Sequence, residues 1–335
     1  MNTTTLSKPS MPQDSLPFVH SGLAVLYSPV KGRVVTASTT IERGTVLMVD
    51  LPYSLVPAPL VHEPPFSICS NSSCHRRVKR VNASSSASSD KYQTQQTAPI
   101  SPESEVTHRT NQLKQPVPCS KHCAREILWC SDNCRSKDAR RHLSECAWLR
   151  TCGAQVQAEE SIVEFELLWL LVKIFIRKQL DEQTSTHGKL QHSAEEQRKQ
   201  KDAVTIQSDE PPMTPQSHFE QRGWDSVWDL AGSPDGFPAE DVARWRKMAD
   251  IYLVGQIPDV ECTTNQAMGL ICRLETNSFG LYPGVTGIYP ITSREGRGDY
   301  YGSGLYPTAA MFNHACCPNV SLPLVSRISF ARHYT

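Results

Sequence analysis

Apolar and polar positions alternate along residues 22–57, and Gly32 and Gly44 separate the short apolar runs. Alternation with a period of two is typical of half-buried strands, and glycine between such runs indicates turns. Residues 262–335 again show short apolar runs interrupted by glycine and proline, which predicts a second region of strands and loops. Because strand-forming regions lie at both ends, we expect them to form one sheet domain into which the middle of the chain is inserted.

Helices are predicted in the middle of the chain, at about 159–179 and 240–255. The first contains the most apolar stretch of the sequence, but Glu164, Glu166 and Lys173 interrupt it. Charged side chains at the centre of a bilayer are costly, so this stretch predicts a buried helix and not a membrane span.

Three polar stretches contain too few large apolar side chains to compensate for the entropy of ordering, and we predict that they are disordered. They cover 1–18, 82–118 and 181–222. The predicted α+β organisation has an N-terminal β lobe at 19–60, a cysteine-rich unit at 69–146, a helical segment at 150–260 and a C-terminal β lobe at 262–335.

The chain carries 34 Lys and Arg against 34 Asp and Glu, so its formal net charge is zero. This balance does not favour broad attraction to nucleic acid or membranes, and we expect neither as a partner. Residues 1–18 lack the basic and apolar segments of a secretory signal, which predicts a protein of the nucleus, the cytoplasm or both. The basic run at 76–80 fits nuclear import or a solvated surface of the cysteine-rich unit.

Seven of the 12 cysteines fall between residues 69 and 146. Without an export signal, such a cluster favours metal binding over disulfides or isolated thiols. These seven cysteines and one histidine form four close pairs along the chain: Cys69 with Cys74, Cys119 with Cys123, Cys130 with Cys134, and His142 with Cys146. Zn²⁺ prefers four thiolate or imidazole ligands, so the pairs predict two structural zinc ions, one held by four cysteines and one by three cysteines and the histidine.

The spacing leaves open which pairs share an ion, and His75 or His122 could replace a neighbouring cysteine. The string WCSDNCRSKDARRHLSEC at 129–146 can continue as a helix that carries His142 and Cys146 one turn apart. This string resembles the end of a MYND zinc finger. The resemblance implies a protein-interaction module that binds Pro-rich protein partners.

Three further strings resemble the pieces of a SET domain: KGRVV at 31–35, ETNSFGLYPG at 275–284 and GSGLYPTAAMFNHACCPNVSL at 302–322. Together with the finger, their order resembles the SET-and-MYND (SMYD) protein-lysine methyltransferases. The resemblance implies a split SET-type β fold with the finger and a helical segment inserted. It also implies that the protein methylates a lysine side chain with S-adenosylmethionine as the methyl donor, and that the substrate is a histone or another protein. We expect the chain to be a monomer.

The resemblance also implies which residues contact the cofactor. Asn313 and His314 would bind S-adenosylmethionine near its adenine and ribose, and Asn277 would contact its amino-acid end. The residues implied along the carboxylate side of the cofactor are Lys31, Gly32 and Arg33.

Phe279 would form part of the wall of the lysine channel, and Cys316 would bind a third zinc ion with three cysteines that follow the SET core in the family. Tyr282 and Tyr306 are predicted to be packing residues. Two other interpretations of the Asn-His string remain: ordinary hydrogen bonding within a loop, and a Cys/His hydrolase built on Cys316 and His314.

The family's catalytic tyrosine follows the Asn-His motif in a Gly-Glu-Glu…Ser-Tyr stretch that residues 1–335 do not contain. Tyr334 lacks the surrounding motif, so no catalytic residue is assigned. We expect a C-terminally truncated methyltransferase with an incomplete C-terminal lobe and weak or no methyl transfer. Two alternatives stay open: another residue replaces the tyrosine, or the chain is a natural, catalytically inactive adaptor whose zinc-dependent MYND finger binds Pro-rich proteins.

Overall fold

The computed structural model describes residues 18–29, 32–59, 66–71, 73–74, 76–80, 115–199, 219, 223–282, 285–286, 298–315, 318–325 and 328–333. Of these, residues 66, 185–199, 285–286, 321–325 and 328–333 are described by their backbone alone. Our predictions for Lys31, His75, Cys316, Tyr334 and most of the three polar stretches lie outside the described residues.

The strands are β1 Phe18–Val19, β2 Leu23–Ser28, β3 Gly32–Ala37, β4 Val46–Asp50, β5 Ser54–Pro57, β6 Phe66–Ile68, β7 Arg77–Lys79, β8 Val117–Pro118, β9 Leu128–Trp129, β10 Ser278–Leu281, β11 Val285–Thr286, β12 Gly302–Leu305, β13 Val320–Val325 and β14 Ile328–His333. The helices are α1 Asp132–Trp148, α2 Ala154–Glu159, α3 Ile162–Lys199, α4 Trp224–Trp228, α5 Ala239–Tyr252 and α6 Thr264–Asn277. A π-helical turn at Leu149–Gly153 joins α1 to α2, and 3₁₀ turns cover Pro234–Gly236 and Ala309–Met311.

Strands from the two ends of the chain pair with each other. A five-stranded antiparallel sheet has the order β1-β4-β14-β13-β11, and a three-stranded sheet has the order β10-β12-β5. The pairs β4 with β14 and β5 with β12 each join an N-terminal strand to a C-terminal one. The expected joining of the two β regions is therefore confirmed, and the fold is α+β.

Glycines mark the turns of the N-terminal β region, as the sequence predicted. Gly32 begins β3 with φ of 67°, and Gly44 precedes β4 with φ of 85°. Glycine adopts this left-handed backbone without the steric penalty of a Cβ atom. The β2-β3 hairpin then pairs Ser28 with Gly32 and Leu23 with Ala37.

Helix α3 lies at the centre of the largest buried cluster. Phe165, Leu168 and Trp169 are fully buried, and the helix contacts β5, α1 and α6. Lys173 is only 2% exposed, so the predicted buried helix is confirmed. In the part of the chain that the structure describes, no helix is both long and apolar enough to cross a membrane.

Two features of the helices differ from the sequence predictions. Helix α3 continues to Lys199, so the first part of the polar stretch 181–222 is helical. The prediction of strands and loops throughout 262–335 is wrong over Thr264–Asn277, which is α6. A capping box begins α6: the Thr263 hydroxyl accepts from the Gln266 backbone N–H, and the Gln266 side chain accepts from the Thr263 backbone N–H.

Candidate functional site

The first candidate metal centre consists of Cys69, Cys74, Cys130 and Cys134, whose sulfur atoms all lie within 4.8 Å of one another. The Sγ atoms of Cys74 and Cys130 are 3.6 Å apart, and those of Cys130 and Cys134 are 3.4 Å apart. A tetrahedral zinc ion with Zn–S bonds of about 2.3 Å separates its sulfur ligands by about 3.8 Å. The four thiols therefore fit one zinc ion.

The second candidate centre consists of Cys119, Cys123, His142 and Cys146. The Cys119 and Cys146 sulfur atoms are 3.8 Å apart, and His142 Nε2 lies 3.3 Å from Cys119 Sγ and 3.6 Å from Cys123 Sγ. Three sulfur atoms and one imidazole nitrogen face a common point. This donor set suits a structural zinc ion.

The structure joins the ligand pairs alternately along the chain. The first pair shares a centre with the third, and the second pair shares a centre with the fourth. Short strands produce this pairing: Cys69 forms a bridge with Leu128, and β9 leads directly into Cys130. Two metal ions bound in this way would tie 69–74 and 119–146 into one unit.

Helix α1 supplies three of the eight candidate ligands. Ser131 caps the helix by accepting a hydrogen bond from the Cys134 backbone N–H at 3.2 Å, which fixes Cys134 in the first turn. His142 and Cys146 lie one turn apart near the end of the helix, as the spacing predicted. His122 lies outside both clusters and occupies a turn with φ of 50°.

In each cluster one thiol ionises readily. The hydrogen bond with Cys69 lowers the pKa of Cys74 to about 4. Burial opposes ionisation of Cys119, but its contact with the His142 ring and hydrogen bonds from the backbone lower its pKa to about 6. Burial and the neighbouring sulfur of Cys119 raise the pKa of Cys123. Neighbouring thiolates repel one another, so several of them in one cluster need a cation to offset their negative charge. A metal ion supplies that charge, because it binds cysteine as the thiolate.

The other described cysteines, Cys152, Cys262 and Cys272, are buried and belong to neither cluster. Burial raises the pKa of Cys262 and of Cys272. All three are core residues.

The candidate cofactor region joins three distant segments of the chain. The Asn313 side-chain amide donates to the Arg33 carbonyl at 3.1 Å, and the Arg33 guanidinium donates to the Asp229 carbonyl at 2.6 Å. The Asn277 amide donates to the Ala231 carbonyl at 2.7 Å. Arg33 and Asn277 therefore both contact residues 229–231, and Asn313 is joined to them through Arg33. His314 is exposed beside Asn313.

The segment around residues 229–232 was missed by the sequence analysis. It contributes backbone carbonyls, which every residue type has, so its side chains gave no signal. Gly232 is the exception, because a Cβ atom there would lie 2.7 Å from the Arg273 backbone nitrogen on α6. Only glycine lets this segment lie so close to the helix that ends at Asn277.

Aromatic residues lie beside this region on the three-stranded sheet. Phe279 meets Tyr306 edge to face, with ring centroids 5.8 Å apart. Tyr306 is buried, in agreement with its predicted packing role, and Tyr282 lies 5.7 Å from Tyr300. The Tyr300 hydroxyl donates a hydrogen bond to Glu166 on α3.

A groove of about 330 Å³ lies beside the second candidate metal centre. Its lining includes the apolar side chains of Trp129, Ala139 and Leu143, with Lys121 and Arg135 as basic groups. Leu143 is 59% exposed. The groove can accept a short apolar segment.

The chain matches no model of a known protein family. A search of curated proteins finds no significant match either.

Proposed function

We propose that this chain is a protein-lysine N-methyltransferase of the split SET type that binds S-adenosylmethionine and has weak or no methyl transfer. Its inserted MYND-type finger holds two structural zinc ions. The observation that carries the proposal is that Arg33 and Asn277 both contact residues 229–231, while Asn313 donates to the Arg33 carbonyl. Arg33 and Asn313 are 280 positions apart in the sequence. Ordinary hydrogen bonding within a loop does not account for contacts between three separate segments.

The residues in this region suit the polar ends of the cofactor. The Asn277 amide nitrogen is committed to the Ala231 and Arg273 carbonyls, so the amide oxygen is the atom that would accept from an ammonium group. Gly32 presents its backbone without a side chain, and Arg33 adds positive charge on the carboxylate side. His314 and Asn313 would hold the adenine and ribose end. S-adenosylmethionine supplies an electrophilic methyl group when it is bound.

The substrate side requires a neutral lysine amine. Because the pKa of a lysine side chain in water is about 10.4, only about one lysine in 2,500 is neutral at pH 7. An apolar aromatic wall lowers that pKa by removing water from the ammonium form. Phe279, which packs edge to face on the buried Tyr306, would supply such a wall beside Asn277. Its role would be to desolvate and orient the amine.

The proposal is tested by isothermal titration of S-adenosylmethionine into the zinc-loaded chain. We expect micromolar binding that Asn313→Ala removes, because the Asn313 amide holds the loop against Arg33. Asn265→Ala is the matched control, since Asn265 is an exposed asparagine on α6 away from the three segments. A folded, zinc-loaded chain that gives no binding heat would overturn the proposal.

The groove beside the second metal centre favours a second candidate function, an adaptor that binds Pro-rich protein partners. A polyproline helix docks on aromatic and apolar grooves with little loss of conformational entropy. Fluorescence anisotropy with a labelled Pro-rich peptide tests this function. Leu143→Ala should weaken binding, whereas Leu26→Ala, which changes a leucine of 57% exposure on β2, should not. Equal affinities for all three proteins would exclude the groove as the binding site.

A further inference from the structure

Glu145 lies on α1 between His142 and Cys146 and is fully buried. Its Oε2 atom is 2.8 Å from His142 Nδ1 and 2.8 Å from Arg141 Nη1. Its Oε1 atom accepts a hydrogen bond from Trp169 Nε1 at 2.8 Å. Lys173 Nζ on α3 lies 3.8 Å from the same Oε1 atom. The buried carboxylate is therefore surrounded by two basic side chains, an imidazole and an indole.

The contact with Glu145 determines how His142 presents its ring. A carboxylate can only accept, so His142 Nδ1 carries the proton and donates it to Glu145. The Nε2 atom then has a free lone pair, and it faces the sulfur atoms of Cys119 and Cys123. A carboxylate that orients a histidine in this way raises its basicity as a metal ligand.

The other side of Glu145 contacts helix α3, which lies outside the finger. Trp169 donates to Glu145, and Lys173 Nζ lies 3.8 Å from the same carboxylate oxygen. The two residues are four positions apart and share one face of α3. Both are buried, so their contacts with Glu145 are shielded from water.

Arg141 extends the buried contacts toward the first cluster. Its guanidinium pairs with both carboxylate oxygens of Asp138, at 2.6 and 2.7 Å, and donates to the Ser70 carbonyl at 3.2 Å. Ser70 follows the candidate ligand Cys69 directly. We call Asp138, Arg141, Glu145, Trp169 and Lys173 the Glu145 network.

We propose that Glu145 is a positioning residue that couples metal binding at the second centre to the anchoring of α3. In this arrangement the indole of Trp169 and the ammonium of Lys173 hold the carboxylate, and the carboxylate holds His142 for the metal. Coupling between two sites is reciprocal, so residues of α3 that touch no ligand tune the metal affinity of the second centre. The inference rests on the two metal centres and not on cofactor binding.

Competition with a chromophoric chelator, measured on the full chain loaded with Zn²⁺, tests the coupling. Trp169→Phe keeps the ring in the core and removes the donor to Glu145. We expect it to weaken one of the two zinc ions by about tenfold, the lower end of the range for partners that orient metal ligands, and to leave the other unchanged. The Co²⁺ spectrum should assign the weakened site to the centre with a nitrogen ligand.

Trp148→Phe is the matched control. Trp148 is equally buried, and its indole donates to the Tyr252 carbonyl at 2.7 Å instead of to Glu145. Glu145→Gln should weaken the same zinc ion more strongly, but it leaves the buried Lys173 without its anion and can impair folding. Trp169→Phe therefore remains the decisive variant.

Selective weakening of the second centre in Trp169→Phe, with Trp148→Phe like the parent protein, supports the proposal. Equal weakening in both variants would show general destabilisation and would overturn it. Unchanged affinity in Trp169→Phe, equal weakening of both metal ions, or a folded parent chain that binds no zinc would also overturn it.

Discussion

At the scale of single residues, Gly302 stands where the structure has no room for a side chain. A Cβ atom at this position would lie 2.3 Å from the Val56 carbonyl oxygen and 3.0 Å from Ile68 Cδ1. Gly302 opens β12 and pairs with Pro57, so it brings β12 directly against β5. The joining of the N-terminal and C-terminal strands depends on this close approach.

Gly302→Ala should therefore destabilise the protein by about 1–3 kcal/mol, the usual penalty for forcing an extra group into a packed site. Chemical denaturation, followed by circular dichroism, measures the change. Gly236→Ala is the control, because a Cβ atom at Gly236 would meet no neighbour within 4 Å. If the two variants are equally stable, the strands do not pack as closely as described.

A second prediction at the residue scale concerns Glu166. Burial raises its pKa, and hydrogen bonds from Ser303 and Tyr300 offset that shift only in part. The folded state then holds a proton more tightly than the unfolded state, so stability is lost as pH rises from about 4.3 through the raised pKa of Glu166. Glu166→Gln avoids this loss because glutamine does not ionise.

We expect Glu166→Gln to have a higher unfolding midpoint than the parent protein at pH 7, with the difference shrinking toward pH 4. Thermal unfolding of both proteins at several pH values between 4 and 7 measures this difference in midpoint. The control is Glu42→Gln, which makes the same substitution at an exposed position. A variant that is less stable by the same amount at every pH would contradict the assigned direction of the pKa shift.

At the scale of elements, helix α6 occupies a segment for which the sequence predicted strands and loops. The helix ends at Asn277 and so fixes the position of that residue. Its sequence contains a capping box and buried residues at helical spacing, including Met268, Ile271 and Leu274. Gly269 weakened that signal, because glycine within a helix costs about 1 kcal/mol relative to alanine. A Cβ atom at Gly269 would lie 3.0 Å from the Trp228 ring, so tertiary packing selects the glycine.

Thr263→Ala should destabilise α6 and lower the stability of the protein by about 1 kcal/mol, because it removes the acceptor for the Gln266 backbone N–H. Thr263→Ser keeps the hydroxyl and should restore most of the loss. Denaturation curves of the three proteins provide the measurement. Similar losses for alanine and serine would mean that the threonine methyl group, and not the cap, supports the helix.

The candidate metal centres were partly predictable for a related reason. The close pairs of cysteines were visible because ligands within a pair share a turn or a helix face. The joining of Cys69 with Cys130 was not visible, because it depends on the bridge between Cys69 and Leu128. The Glu145 network was hidden as well, since Lys173 and Trp169 come from another helix.

At the scale of the whole molecule, the two candidate metal centres join the segments around residues 69–74 and 119–146. Structural zinc sites contribute about 10–16 kcal/mol of apparent folding free energy in zinc-finger peptides. Removing zinc with a chelator should therefore unfold the segments around both clusters and loosen α3 through the Glu145 network. Acid should act in the same direction, because protonated thiols and imidazole release the metal.

Circular dichroism and hydrogen exchange before and after chelation measure this effect. Added Zn²⁺ should restore the protected amides of α1 and α3, whereas Mg²⁺, which prefers oxygen ligands, should not. Exchange that is unchanged after complete removal of zinc would contradict a structural role for the metal.

Native mass spectrometry of the full chain tests the central claim most directly, because one spectrum counts both kinds of ligand. We expect a folded chain that carries two zinc ions and binds one S-adenosylmethionine when the cofactor is added. The Asn313→Ala variant should keep both zinc ions and lose the cofactor. A folded chain without zinc, or a zinc-loaded chain that never takes up S-adenosylmethionine, would contradict it.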